Sequence, residues 1–118
     1  EKLLDESKNQ HAYFIDLVNG TEDSILTVNR DYEVVLVNQS TRRIFGANGV
    51  PMEPGFNVMK LAGANMAEFK KPYESAFGGT PVTLQKNYFG REYLVTYNPL
   101  KNSNGEIIGV SLFTHDIT

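Results

Sequence analysis

The stretch Asp23-Ser24-Ile25-Leu26-Thr27-Val28-Asn29-Arg30-Asp31-Tyr32-Glu33-Val34-Val35-Leu36-Val37-Asn38 decides the fold. Its two halves, residues 24–29 and 33–38, are rich in β-branched and aliphatic side chains, which suit a pleated and half-buried surface. Between them Asn29-Arg30-Asp31-Tyr32 has turn chemistry, so the stretch predicts a β-hairpin. Asn38 closes the hairpin and opens the next element. Its side-chain oxygen can accept a free amide from the first turn of a helix over residues 39–45, which Gly46 then ends.

Upstream of the hairpin, residues 1–18 place Leu4, His11, Phe14, Ile15 and Val18 near one helical face. This spacing predicts an amphipathic helix, stopped by Asn19-Gly20-Thr21. Downstream, residues 47–63 carry Gly49, Pro51, Pro54, Gly55 and Gly63 around Phe56, Val58, Met59 and Leu61, a pattern of loops with one or two helical turns. A helix over residues 65–77 follows, with Asn65 as its cap and Met66, Phe69, Tyr73 and Phe77 on one face. Pro72 falls inside it, where a proline costs about 3 kcal/mol, so a kink or a restart is expected. After Gly78-Gly79, residues 81–89, 92–98 and 107–115 read as strands, parted by Gly90-Arg91 and by Lys101-Asn102-Ser103-Asn104-Gly105. Helix, two strands, short helices and three strands form no βαβ alternation and no internal repeat. An antiparallel sheet with helices segregated on one face accommodates that order, which makes the class α+β.

Composition narrows the function. The 118 residues fit one domain, and 41% hydrophobic with 21% charged residues is ordinary for a chain that folds by itself. A net charge of −3 offers no broad positive field for a nucleic-acid backbone or an anionic lipid, so neither is expected as a partner. The chain has no cysteine, which removes disulfides, thiolate nucleophiles and Cys-ligated zinc. Its longest aliphatic run, residues 34–37, is far short of the ~20 apolar residues that span a bilayer, so no membrane contact is expected of this segment.

The hairpin ending in Asn38, Ile44-Phe45-Gly46, Gly105-Glu106-Ile107-Ile108-Gly109-Val110 and Asp116-Ile117-Thr118, met in that order from about Asp16 to the last residue, resemble the PAS family. The resemblance implies a five-stranded antiparallel sheet cradling short helices, with residues 1–20 as a flanking, dimerising helix and residues 21–118 as the PAS core. It implies a cytoplasmic sensory or dimerisation module of a larger receptor, such as a histidine kinase, chemoreceptor or diguanylate cyclase. Such a module pairs with its copy through Leu4, His11, Phe14, Ile15 and Val18, and is covalently joined to an output domain after Thr118. In such domains the final Asp and Thr, here Asp116 and Thr118, tie the last strand to the outgoing segment. A polar strand end with no coupling role is the plainer alternative. The chain starts without Met and reads as an excised part of a longer protein.

The ligand chemistry is then a matter for individual residues. Without Cys, the flavin adduct of the light-oxygen-voltage subgroup and the Cys-bound chromophore of the yellow-protein subgroup are excluded. The helix before the third strand carries no His, so no haem is expected. His115 and Asp116 point to opposite strand faces and suit no metal. No nucleophile, acid–base pair or phosphate loop assembles, so no enzyme activity is expected. What remains is an apolar space between helices and sheet, with Phe45, Val58, Met59, Met66, Phe69, Tyr73, Leu84, Tyr93, Val95, Tyr97, Leu112 and Phe113 as candidate lining residues. They serve equally well as a closed core, in a ligand-free interaction module, or as the pocket of an unidentified small molecule. Buried tyrosine hydroxyls need partners, which favours a polar ligand or trapped water. Arg42, Arg43 and Arg91 could reach an anion, although surface solvation explains each.

Overall fold

The computed structural model describes residues 22–118; the proposed flanking helix, with Leu4, His11, Phe14, Ile15 and Val18, lies outside them. Strands β1 (Ser24–Asn29) and β2 (Val34–Val37) form the predicted hairpin. Helix α1 (Gln39–Gly46), a 3₁₀ turn (Val58–Leu61) and helix α2 (Met66–Phe77) follow, and β3 (Val82–Tyr88), β4 (Arg91–Lys101) and β5 (Ile107–Asp116) complete the chain. All pairings are antiparallel, and the sheet order is β2-β1-β5-β4-β3. The last strand therefore sits in the centre, between the first hairpin and the β3–β4 pair.

Alternation along each strand sorts the side chains. Ser24, Leu26 and Val28 of β1, Tyr93, Val95 and Tyr97 of β4, and Val110, Leu112 and Thr114 of β5 are buried on the face covered by α1 and α2. Successive strand residues point to opposite faces, so Phe113, between Leu112 and Thr114, lies on the outer face and is 43% exposed. This corrects its place among the lining candidates. Met66 is corrected as well: it shares a helical face with Phe69 and Tyr73 but stands in the first turn of α2, 44% exposed, while the residues the helix buries, Pro72, Tyr73 and Ala76, lie further along it.

Asn38 does more than cap α1. Its Oδ1 accepts the amides of Thr41 (3.1 Å) and Ile25 (3.0 Å), while its Nδ2 donates to the Asp23 carbonyl (2.9 Å). Thr41 Oγ1 lies 2.7 Å from Ser24 Oγ and 3.0 Å from the Ile25 carbonyl. One buried knot thus fastens the start of α1 to the start of β1. Asn65 does not cap α2: its side chain makes no capping bond, and Glu68 supplies the negative charge that suits the positive end of the helix dipole. Helix α2 is continuous through Pro72, with no break or restart there. Pro72 is buried beside Val82 and Leu84, so its ring contributes to packing what its missing amide removes from the helix.

Two backbone features shape the sheet. A Cβ at Gly109 would run into the Val28 carbonyl oxygen, so only glycine lets β5 lie this close to β1. In the β3–β4 turn both Phe89 (φ 55°) and Gly90 (φ 81°) are left-handed, the conformation that matches strand twist in a two-residue hairpin. Phenylalanine pays a steric cost there, and its ring packs edge-on against Phe45 at 5.7 Å.

Candidate functional site

The inner face holds a connected aromatic cluster. Tyr73 of α2 meets Tyr97 (5.1 Å), Tyr32 (5.3 Å) and Phe69 (5.6 Å), and Tyr88 meets Tyr93 and Phe45, each at 5.9 Å between ring centroids. Beside it lies a cavity of about 20 Å³, bounded by Phe45, Val58, Phe69, Tyr73 and Leu112 among the candidates. That volume admits about one water molecule. Leu84, Tyr93, Val95 and Tyr97 belong to the same inner face but stand back from the cavity, and Met59 is half-buried on the 3₁₀ turn.

Sequence reasoning missed Leu26, Met52, Leu61, Tyr88 and Thr114, which also bound this space. Strand alternation from Leu84 would have found Tyr88. Met52 comes from a Gly/Pro-rich loop with no period to read. Burial raises the pKa of Tyr73 and Tyr97, each reinforced by the neighbouring Tyr88 phenol, and burial also raises that of Tyr88. All three stay neutral donors at physiological pH. Every buried side-chain nitrogen or oxygen among the described residues has a hydrogen-bond partner.

A second constellation lies where the chain leaves the sheet. Arg91 Nη2 is 2.7 Å from Asp116 Oδ2, and Asp116 Oδ1 accepts the Thr118 amide at 2.9 Å. Thr118 Oγ1 accepts the Glu92 amide (2.9 Å) and donates to the Glu92 carbonyl (3.2 Å), which also accepts the Ile117 amide (2.9 Å). The Glu92 carboxylate is held by Asn87 (3.0 Å) and Gln85 (3.2 Å) of β3. The bond from the Thr118 amide, then the Thr118 hydroxyl and Arg91, hold the Asp116 carboxyl down at about 2. Bonds from Asn87 and Gln85 lower that of Glu92. The two residues singled out for relay, Asp116 and Thr118, are thus latched to the first two residues of β4, and Tyr93 comes next along that strand.

His115 adds a clasp to the incoming side: its Nδ1 lies 2.7 Å from Asp23 Oδ1. The bond to Asp23 raises the His115 pKa, with Asp23 and Asp116 adding charge attraction. Arg43, Asn48 and Phe89 line a surface groove of about 370 Å³ together with His115 and Asp116. Among the described residues no group of three His, Cys, Asp or Glu side chains could hold a metal, and no helix is long and apolar enough to cross a membrane.

These features define a class by architecture, and solved structures share it. A sensory box sensor histidine kinase from Vibrio cholerae superposes with a TM-score of 0.66 at 18% identity, over 97% of this chain and 94% of that one. The PAS domain of the histidine kinase ThkA gives 0.63 at 22% identity, over 80% and 99%. VqmA bound to DPO gives 0.74 at 20% identity, over 91% of this chain and 57% of the VqmA chain, so in VqmA the shared fold is one part of a longer protein. No family model and no curated protein matches the sequence. The fold is that of a PAS domain, as the sequence motifs predicted.

Proposed function

We propose that this chain is a PAS sensory module which passes a change in its inner face to the segment joined after Thr118. The observation that carries this reading is the latch of Asp116 and Thr118 onto Arg91 and Glu92. Strand β4 carries Tyr93, Val95 and Tyr97 on the inner face and the latch at its own first residues. A shift of β4 by a fraction of an ångström therefore bears directly on the outgoing end. Coupling of about 1–3 kcal/mol between two packings is enough for such a relay.

In this reading the module acts without catalysis, in the cytoplasm, as one domain of a larger receptor, and residues 1–18 pair with those of a second copy. A small molecule among the inner-face aromatics is the stimulus. That VqmA, with the same fold, is described as bound to DPO supports small-molecule uptake by this architecture. The 20 Å³ cavity favours a second reading, a ligand-free interaction module whose core is already filled.

Native mass spectrometry of the purified protein beside a denatured sample, with its absorption spectrum, separates the two. A non-covalent mass lost on denaturation, together with changed amide exchange at Ile117 and Thr118 when that ligand is removed, is the result expected of a sensor. A bare mass with no ligand-dependent exchange at those amides would favour the interaction module.

A further inference from the structure

Lys86 is an unusual residue for the inner face. It points inward from edge strand β3, between Leu84 and Tyr88, and is half-buried. Its Nζ lies 5.4 Å from the centre of the Phe69 ring and 5.9 Å from that of Tyr97. Among the described residues it has no carboxylate partner; the nearby acid of α2, Glu68, pairs instead with Lys71 at 3.4 Å. Aromatic faces attract a cation but do not neutralise it. Partial desolvation already pulls the Lys86 pKa down. Among the described residues, no carboxylate compensates this half-buried cation seated on two rings.

Next to it runs a groove between α2 and β3, of about 320 Å³, walled by Pro72, Val82 and Leu84 and rimmed by Glu68 and Lys71. That size falls at the small end of ordinary small-molecule sites. Lys86 does not itself line the groove, but it is the next residue after Leu84 on the same face of β3, and its ammonium rests on Phe69, one turn before Pro72 on α2. Phe69, on which Lys86 rests, also bounds the core cavity. Occupation of the groove would therefore be felt at the aromatic cluster.

We propose that the groove between α2 and β3 binds an organic anion with an apolar body, the body lying on Pro72, Val82 and Leu84 and its acid group pairing with Lys86. The inference rests on the sensory reading for its purpose and adds to it a location and a ligand class. Two simpler roles compete: the Lys86 stem covering aromatic rings, and an inward charge that guards an edge strand against pairing with other chains.

The test uses hexanoate as the probe and hexan-1-ol as its neutral counterpart, with amide chemical shifts of the whole chain recorded during titration. Saturable shifts at residues 68–71 and 82–86 are expected with hexanoate, with the alcohol at least about tenfold weaker. Lys86→Met, which keeps the apolar stem, is expected to remove the preference for the acid, and Lys86→Arg to retain it. Equal binding of acid and alcohol, undiminished hexanoate binding by a folded Lys86→Met protein, or no saturable shift at the groove would overturn the proposal. A Lys86→Met protein that self-associates while hexanoate leaves the wild-type groove untouched would instead assign the edge-guarding role. The sensory reading is judged separately, at the Ile117 and Thr118 amides: shifts at the groove without any there would keep the site and sink the relay.

Discussion

His115 Nδ1 stands 2.7 Å from Asp23 Oδ1, so two residues 92 positions apart join the chain just before β1 to the last strand, β5. Both side chains are largely exposed, and the pair acts as a directional contact more than as a store of stability. Among the described residues, the charged groups acting on His115 are Asp23, the residue just before β1, and its own neighbour Asp116, which is engaged with Arg91. The folded pKa is raised, so the contact is fully present below the ordinary histidine value of about 6.5 and is lost as pH rises through the higher folded value. The chain has two histidines, His11 and His115, which makes an imidazole NMR titration simple to assign. We expect His115 to titrate above 6.5 and to return toward it in Asp23→Asn. An unmoved His115 titration in that variant would show that the contact is not formed in solution.

The latch of the outgoing segment has the opposite sign. The Asp116 carboxyl is held at about 2, below its ordinary 3.8, so its contribution is present above 3.8 and disappears as pH falls toward 2. Amide exchange at Ile117 and Thr118 is expected to stay slow at pH 5 and to accelerate in Asp116→Asn and in Thr118→Ala. The midpoint of global unfolding should change little, because the groups are exposed. Unchanged exchange in both variants would mean that the Ile117 amide bond to Glu92 holds the end alone.

Much of this was legible because periodicity and caps are local signals. The hairpin at residues 24–38, the Asn38 cap and the three final strands follow from side-chain type and turn chemistry alone, and the structure places them within a few residues. The site was less legible. Phe113 reads as core because it is an apolar residue next to Leu112, and only the period of two along β5 sends it to the outer face. Met52 reaches the cavity from a loop, and Leu61 from the end of the short 3₁₀ turn, and neither has a periodic pattern to read. The roles of Glu92, Arg91 and Asp23 depend on strand order, since β5 comes between β1 and β4 only once the chain is folded. The sequence predicts the capping role of Asn38, but its bonds to Ile25 and Asp23 cross the hairpin and have no sequence spacing.

That wider role of Asn38 makes its substitution informative. Asn38→Ala removes the acceptor of two amides and the donor to the Asp23 carbonyl, in a fully buried place. A lost cap alone costs about 1 kcal/mol, and each buried group left unsatisfied about 1–3 kcal/mol, so a loss of roughly 2–4 kcal/mol is expected. Asn38→Asp keeps the acceptor but sets a buried charge against the Asp23 carbonyl and loses the donor, so it should not rescue the protein at neutral pH. Denaturant unfolding compares the three proteins. If Asn38→Asp matched wild type, the Nδ2 bond to Asp23 would be dispensable and the residue no more than a helix cap.

Two glycines give the sharpest contrast between a required and a replaceable residue. Gly109 lies against the Val28 carbonyl, and because the obstacle is backbone, an added methyl group must push β5 away from β1 in the middle of the sheet. Gly109→Ala is therefore expected to cost more than about 3 kcal/mol, well beyond the usual range for a small surface change. Gly46 ends α1 without left-handed backbone, and a Cβ there meets nothing within 4 Å. Alanine is the better helix former, so Gly46→Ala should be neutral or stabilising by up to about 1 kcal/mol. The two changes add the same methyl group, so thermal unfolding of the pair isolates the effect of placement. For a domain of this size 1 kcal/mol moves the midpoint by about 4–8 °C, which puts the expected effects well apart. A tolerated Gly109→Ala would mean that β1 and β5 can separate locally at that register, and the tight central pairing assigned to the sheet would then be wrong.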